Sequence, residues 1–78
     1  MLIKVVSAIG GDVTELNLPP ETPIQQIKSE ISRRKRIPTN IFVLAFRGSE
    51  IRNEGQTLND IGAGDMDKLY LITRTEGG

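Results

Sequence analysis

Apolar and polar residues alternate through the first part of the chain with the two-residue period of extended backbone, which predicts two strands. Leu2, Ile3, Val5 and Val6 mark the first, from Leu2 to Ser7, with Ile3 and Val5 on one face. The second, Val13 to Leu18, places Thr14, Leu16 and Leu18 on one side and Val13, Glu15 and Asn17 on the other. Gly10-Gly11-Asp12 between them tolerates the positive φ of a tight turn, so the two strands form a hairpin. Pro19-Pro20 cannot continue a paired ladder and ends it.

Beyond the prolines the period lengthens to that of a helix. Ile24, Ile27 and Ile31 recur at i, i+3 and i+7, one narrow apolar stripe fit for one sheet face. Thr22-Pro23-Ile24-Gln25 reads as its start, with Thr22 as N-cap, Pro23 at the first helical position and Gln25 closing a capping box. It ends by Arg36, because Ile37 precedes Pro38 and is pushed out of helical space. Ile41 to Phe46 is apolar throughout, as in a strand covered on both faces or one showing an apolar face to a partner. With Leu44 and Phe46 toward the helix, Val43 and Ala45 point outward. A turn at Arg47 to Glu50 and a very short strand ending at Ile51 follow. Thr57-Leu58-Asn59-Asp60 repeats the capping pattern and predicts a single helical or 3₁₀ turn, pegged by Leu58 and Ile61. Lys68 to Arg74 is the last strand.

One helix covers only one face of a four- or five-stranded sheet, so the expected architecture is an α+β roll with its other face free. The last strand lies beside and parallel to the first, reached by a long crossover, and the tail leaves from the sheet's edge.

Composition narrows the chemistry. Seventy-eight residues make one domain with an aliphatic core, since only two Phe and one Tyr are present. The absence of Cys and His removes disulfides, zinc sites and Cys- or His-based nucleophilic mechanisms, so an enzyme is not expected. Ten basic and ten acidic side chains cancel, which argues against nucleic acid or an anionic membrane as partner. Ser32-Arg33-Arg34-Lys35-Arg36 is basic, but it falls in the last helical turn, where cations suit the carbonyl end of the helix. No leader or membrane-spanning stretch is legible, and the expectation is a cytoplasmic monomer.

The end of the chain carries the remaining signal. After Thr73 no apolar residue anchors Arg74-Thr75-Glu76-Gly77-Gly78, so residues 1–74 form the expected domain and 75–78 a flexible tail. Glycine lacks a Cβ, so a Gly-Gly end threads a narrow channel and presents an unhindered carboxylate. Read on residue type alone, the same pair is equally a frayed terminus.

At this point the residues match a pattern. Ile3 and Val5, Leu16 and Leu18, Ile24-x-x-Ile27-Lys28-x-x-Ile31, Ile37-Pro38, Leu44-x-Phe46-x-Gly48, Thr57-Leu58-x-Asp60 and Leu69-x-Leu71-x-x-Arg74-x-x-Gly77-Gly78 resemble the ubiquitin family over the whole chain. The final strand and tail resemble most the ubiquitin-like modifiers of certain archaea. The resemblance implies a β-grasp fold and a protein modifier whose terminal carboxylate is adenylated by an activating enzyme using ATP. The acyl group then passes to that enzyme's cysteine, to a conjugating enzyme and, directed by a ligase, to a substrate lysine; a deconjugating protease reverses the bond. No cofactor is bound by the modifier itself.

The same resemblance assigns roles to positions. Gly78 is the acyl donor, Gly77 keeps its path narrow, and Arg74 is read by the activating enzyme. Glu76 stands where ubiquitin has an arginine, which implies a differently charged groove in the cognate enzyme. The family's partner-binding patch falls on Ala8 or Ile9, Ala45, Tyr70 and Ile72, with Val43 beside them. Two family acceptor lysines are replaced by Ser49 and Asp65, leaving Lys4, Lys28, Lys35 and Lys68 as candidate acceptors and implying sparse chains. Arg36 replaces a family glycine at the helix end. Two other classes remain open on these residues: a sulfur carrier ending in a thiocarboxylate, and a non-covalent interaction domain.

Overall fold

The computed structural model describes residues 1–8 and 10–74. Ile9 and the expected tail, with Glu76, Gly77 and Gly78, lie outside the described residues. Within them, five strands form one mixed sheet: β1 (Leu2–Ser7), β2 (Val13–Asn17), β3 (Phe42–Phe46), β4 (Ser49–Glu50) and β5 (Lys68–Thr73), in the spatial order β2-β1-β5-β3-β4. The helix α1 (Ile24–Lys35) packs on one face. β1 runs antiparallel to β2 and parallel to β5, while β3 is antiparallel to both β4 and β5. The expected parallel pairing of first and last strands is present, but β5 is the central strand. The chain beyond it therefore leaves from mid-sheet and not from an edge.

The core follows the two periods. Ile24, Ile27 and Ile31 on α1 meet Ile3, Val5, Leu16, Phe42, Leu44, Phe46, Leu69 and Leu71 from the sheet, with Leu58 and Ile51 closing one end. Between β3 and β4, Arg47 and Gly48 both have positive φ (52° and 82°), as a two-residue hairpin of matching twist requires.

The start of the helix corrects the capping expectation. Thr22 does not cap it: its hydroxyl donates to Pro19 O at 2.7 Å, and Pro23 occupies the cap position with no side-chain bond. The orphan donors are met by another part of the chain, Ile24 N by Gln56 O (2.8 Å) and Gln25 N by Glu54 O (2.9 Å). The pattern at Thr57 does close reciprocally, Thr57 N to Asp60 Oδ2 and Asp60 N to Thr57 Oγ1, both 3.0 Å. Ile61 N then reaches Thr57 O at 3.2 Å, a single helical turn, while the short 3₁₀ helix lies elsewhere, at Thr39–Ile41.

At its other end α1 closes on Arg36 in the left-handed region (φ 58°, ψ 44°), with Arg36 N and Ile37 N both donating to Ser32 O. A Cβ there costs about 1 kcal/mol or more. Arg36→Gly removes that strain and returns part of the gain as unfolded-chain entropy, so it is expected to raise stability by about 0.5 to 1 kcal/mol. A thermal midpoint some 2 to 8 °C higher in a calorimeter is the expected reading; a lower midpoint would contradict the strain argument.

Candidate functional site

The face of the sheet away from α1 is uncovered, and the strand registers define what it presents. Val13 lies opposite Val6, Val6 opposite Tyr70, and Tyr70 opposite Ala45. These four residues make one row across β2, β1, β5 and β3. One step toward the end of β5, Val43 and Ile72 face each other. One step the other way, Lys4 lies between Glu15 on β2 and Lys68 on β5. Tyr70 and Ile72 are 40% and 37% exposed, so two large apolar side chains of β5 stand open on this face.

This arrangement changes the expected patch in three respects. Ala45, expected to point outward and bind, is on the free face but only 4% exposed. Its methyl sits between Tyr70 on β5 and Glu50 on β4, its cross-strand neighbours, whose longer side chains flank it. Val6 and Val13 join the row though the sequence reading did not place them in the patch, and Val13 is 52% exposed. Their parity was legible: if Ile3 and Val5 point inward, Val6 points out. Ala8 is exposed at the end of β1, its N–H donating to Leu71 O at 2.9 Å, while Ile9 lies outside the described residues.

The root of the C-terminal segment is tied down on both its groups. Arg74 N donates to Ile41 O at 2.6 Å, and its guanidinium pairs with the Glu50 carboxylate on β4. The side chain stays accessible, at 59% exposure.

The candidate acceptor lysines separate into distinct settings. Lys28 is buried, its ammonium 2.7 Å from Glu54 Oε2 and 5.1 Å above the Phe42 ring, so it does not offer the accessible amine an acceptor needs. Lys35 pairs with Asp12 across the helix end and the hairpin turn. Lys4 and Lys68 have no carboxylate within ion-pair distance among the described residues. At Asp65, one of the positions without a lysine, the carboxylate accepts from Leu2 N at 2.6 Å.

The basic end of α1 is neutralised in part, its four cations Arg33, Arg34, Lys35 and Arg36 set against the two carboxylates of Glu30 and Asp12. Arg34 and Arg33 both reach Glu30, and their hydrogen bonds, Arg34's first, hold its carboxyl below its usual 4.5. The Lys35 hydrogen bond likewise lowers Asp12 from 3.8. Arg33 and Arg34 are thus occupied within their own helix.

A five-stranded mixed sheet with one helix packed on one face defines a β-grasp domain. Residues 2–76 match the ubiquitin family. A solved structure, "Caldiarchaeum Subterraneum Ubiquitin", superposes with a TM-score of 0.89 at 34% identity, covering 100% of this chain and 98% of that one. Ubiquilin-1 of Homo sapiens and of Pongo abelii are each 29% identical over 75 residues, 96% of this chain. The chain spans 13% of the length of these curated relatives. It belongs to the ubiquitin family, whose members are modifiers or interaction domains and not themselves enzymes.

Proposed function

We propose that the chain is a ubiquitin-like protein modifier, activated at Gly78 once that residue is the free end, whether by synthesis or by cleavage. A carboxylate is a poor acyl donor because its leaving group would be oxide. The activating enzyme solves this by letting a Gly78 oxygen attack the α-phosphorus of ATP, expelling pyrophosphate and leaving an acyl adenylate. The enzyme's cysteine thiolate then attacks the acyl carbon and AMP departs. The thioester passes to a conjugating enzyme, and a substrate lysine amine, directed by a ligase, displaces the thiol to give an isopeptide bond, which a deconjugating protease hydrolyses. ATP is consumed by the enzyme and not held by this chain.

In this reading Gly77 keeps the approach narrow, Arg74 is the side chain the activating enzyme reads, and Glu76 selects a groove of complementary charge. Lys4, Lys35 and Lys68 serve as acceptors where chains form in the cytoplasm; Lys28 does not. The observation that supports the reading most is the likeness to an archaeal ubiquitin, which covers 100% of this chain and 98% of that one. Incubation with the activating-enzyme homologue of its own organism and ATP is expected to yield a thiol-reducible adduct. A variant lacking Gly77 and Gly78 is expected to yield none, and an undiminished adduct would overturn the reading.

The Ubiquilin-1 likeness, confined to 13% of a longer chain, favours a second reading as a non-covalent interaction domain. Its expected signature is partner binding that survives removal of Gly77 and Gly78 with no covalent adduct formed.

A further inference from the structure

Arg74 follows β5 and Glu50 lies on β4, with β3 between the two strands, so the arginine side chain reaches across a strand to make its ion pair. Its backbone is fixed at the same place by the bond from Arg74 N to Ile41 O. The cation at the root of the C-terminal segment is therefore presented as half of a pair and not alone. The two halves are unequal: the Glu50 side chain is 22% exposed and that of Arg74 59%. The Lys28–Glu54 pair has the opposite arrangement, with its cation at 8% and its carboxylate at 37%, and it keeps its cation inside the fold.

Glu50 also lines a recess of about 360 Å³ whose walls include Arg47 and Arg52. Among the described residues neither arginine has a carboxylate within ion-pair distance. The Glu50 carboxylate thus keeps cationic neighbours when Arg74 is withdrawn, and no charge is left stranded. The hold itself is a single hydrogen bond, from Arg74 Nη2 to Glu50 Oε1. An exposed pair of this kind contributes little to stability, so it opens readily.

We infer that Glu50 is a specificity-determining residue that acts through Arg74: it holds the guanidinium in a neutral pair, so a protein that reads Arg74 must carry a carboxylate-lined arginine site able to take it from Glu50. The inference rests on the reading of Arg74 as the side chain the activating enzyme contacts, and adds to it a positioning residue on another strand. The step is an exchange of one carboxylate for another around the same guanidinium. A site that offers two parallel bonds displaces the single bond of Glu50. A weaker or misaligned acidic groove is discriminated against, because its apparent affinity falls with the fraction of chains in which Arg74 is free.

Two measurements on the full chain test this, and the first does not depend on activation. Trypsin takes arginine into a pocket with an aspartate at its base, and cleavage after Arg74 removes the last four residues. The initial rate of that loss, read by mass spectrometry, is expected to be about three- to fivefold higher for Glu50→Gln than for the unsubstituted chain, and the difference to vanish in about 1 M salt. Glu15→Gln, which removes the same charge from an exposed position on β2, is expected to leave the rate unchanged. With the activating-enzyme homologue and ATP, Glu50→Gln is expected to lower the KM for this chain about threefold at unchanged kcat, a split that a merely structural role would not produce. Equal cleavage of Glu50→Gln and the unsubstituted chain, or an equal gain from Glu15→Gln, would overturn the inference. An unchanged KM in a chain that is charged normally overturns it as well and leaves the modifier reading standing. No adduct from any chain refutes the modifier reading instead, and the cleavage ratio then decides the role of Glu50.

Discussion

Leu69→Ala is expected to remove about 3 to 4 kcal/mol of unfolding free energy. Leu69 is fully buried in the central strand, opposite Val5, with strands on both sides and α1 above, so the cavity left behind has little room to collapse. A domain of this length has roughly 4 to 12 kcal/mol in total, so the loss is about a quarter of its stability or more. Urea titration reads it as a lower midpoint at unchanged slope. Tyr70→Ala, one residue on but facing the open side, is expected to cost no more than about 1 kcal/mol. Equal costs at the two positions would contradict the assignment of their faces.

Removing Glu54 is expected to cost more than removing the lysine it holds. Glu54→Ala leaves the Lys28 ammonium without its carboxylate at a side chain only 8% exposed, with the Phe42 ring as the remaining favourable contact. Because Glu54 itself is 37% exposed, water screens part of the pair, and the expected loss is about 1 to 3 kcal/mol. Lys28→Met keeps the stem packed and deletes the charge, and Glu54 is free to hydrate, so its cost is expected below about 1 kcal/mol. Both are read in urea at neutral pH. The reverse ranking would mean the ammonium is better hydrated than its burial indicates.

The elements that follow from one repeating period were legible: the Ile24, Ile27, Ile31 stripe, the glycine-turned hairpin, and the inward face of Ile3 and Val5. The cap was not, because a Thr-Pro start supplies a local donor count while the helix takes its carbonyls from Gln56 and Glu54, some thirty residues on in the chain. The face of Ala45 followed from alternation. Its burial depends on the lengths of Tyr70 and Glu50 beside it, which requires the register. Val6 and Val13 escaped for the same reason: parity turns each outward, but only the pairing shows that they extend one row with Tyr70. That the helix ends by Arg36 followed from Ile37-Pro38, while its left-handed conformation was signalled only by the family glycine that Arg36 replaces.

The place of β5 between β1 and β3 has a consequence for how the domain comes into being. The strand that fills the middle of the sheet is the last of the domain's five to be synthesised, so until it emerges the nascent domain has only the hairpin, the helix and β3 with β4 to assemble from. Residue 4 finds its partner only when residue 68 has emerged, and the inner faces of β1 and β3 stay without their shared neighbour until then. Assembly is therefore late and nearly all at once.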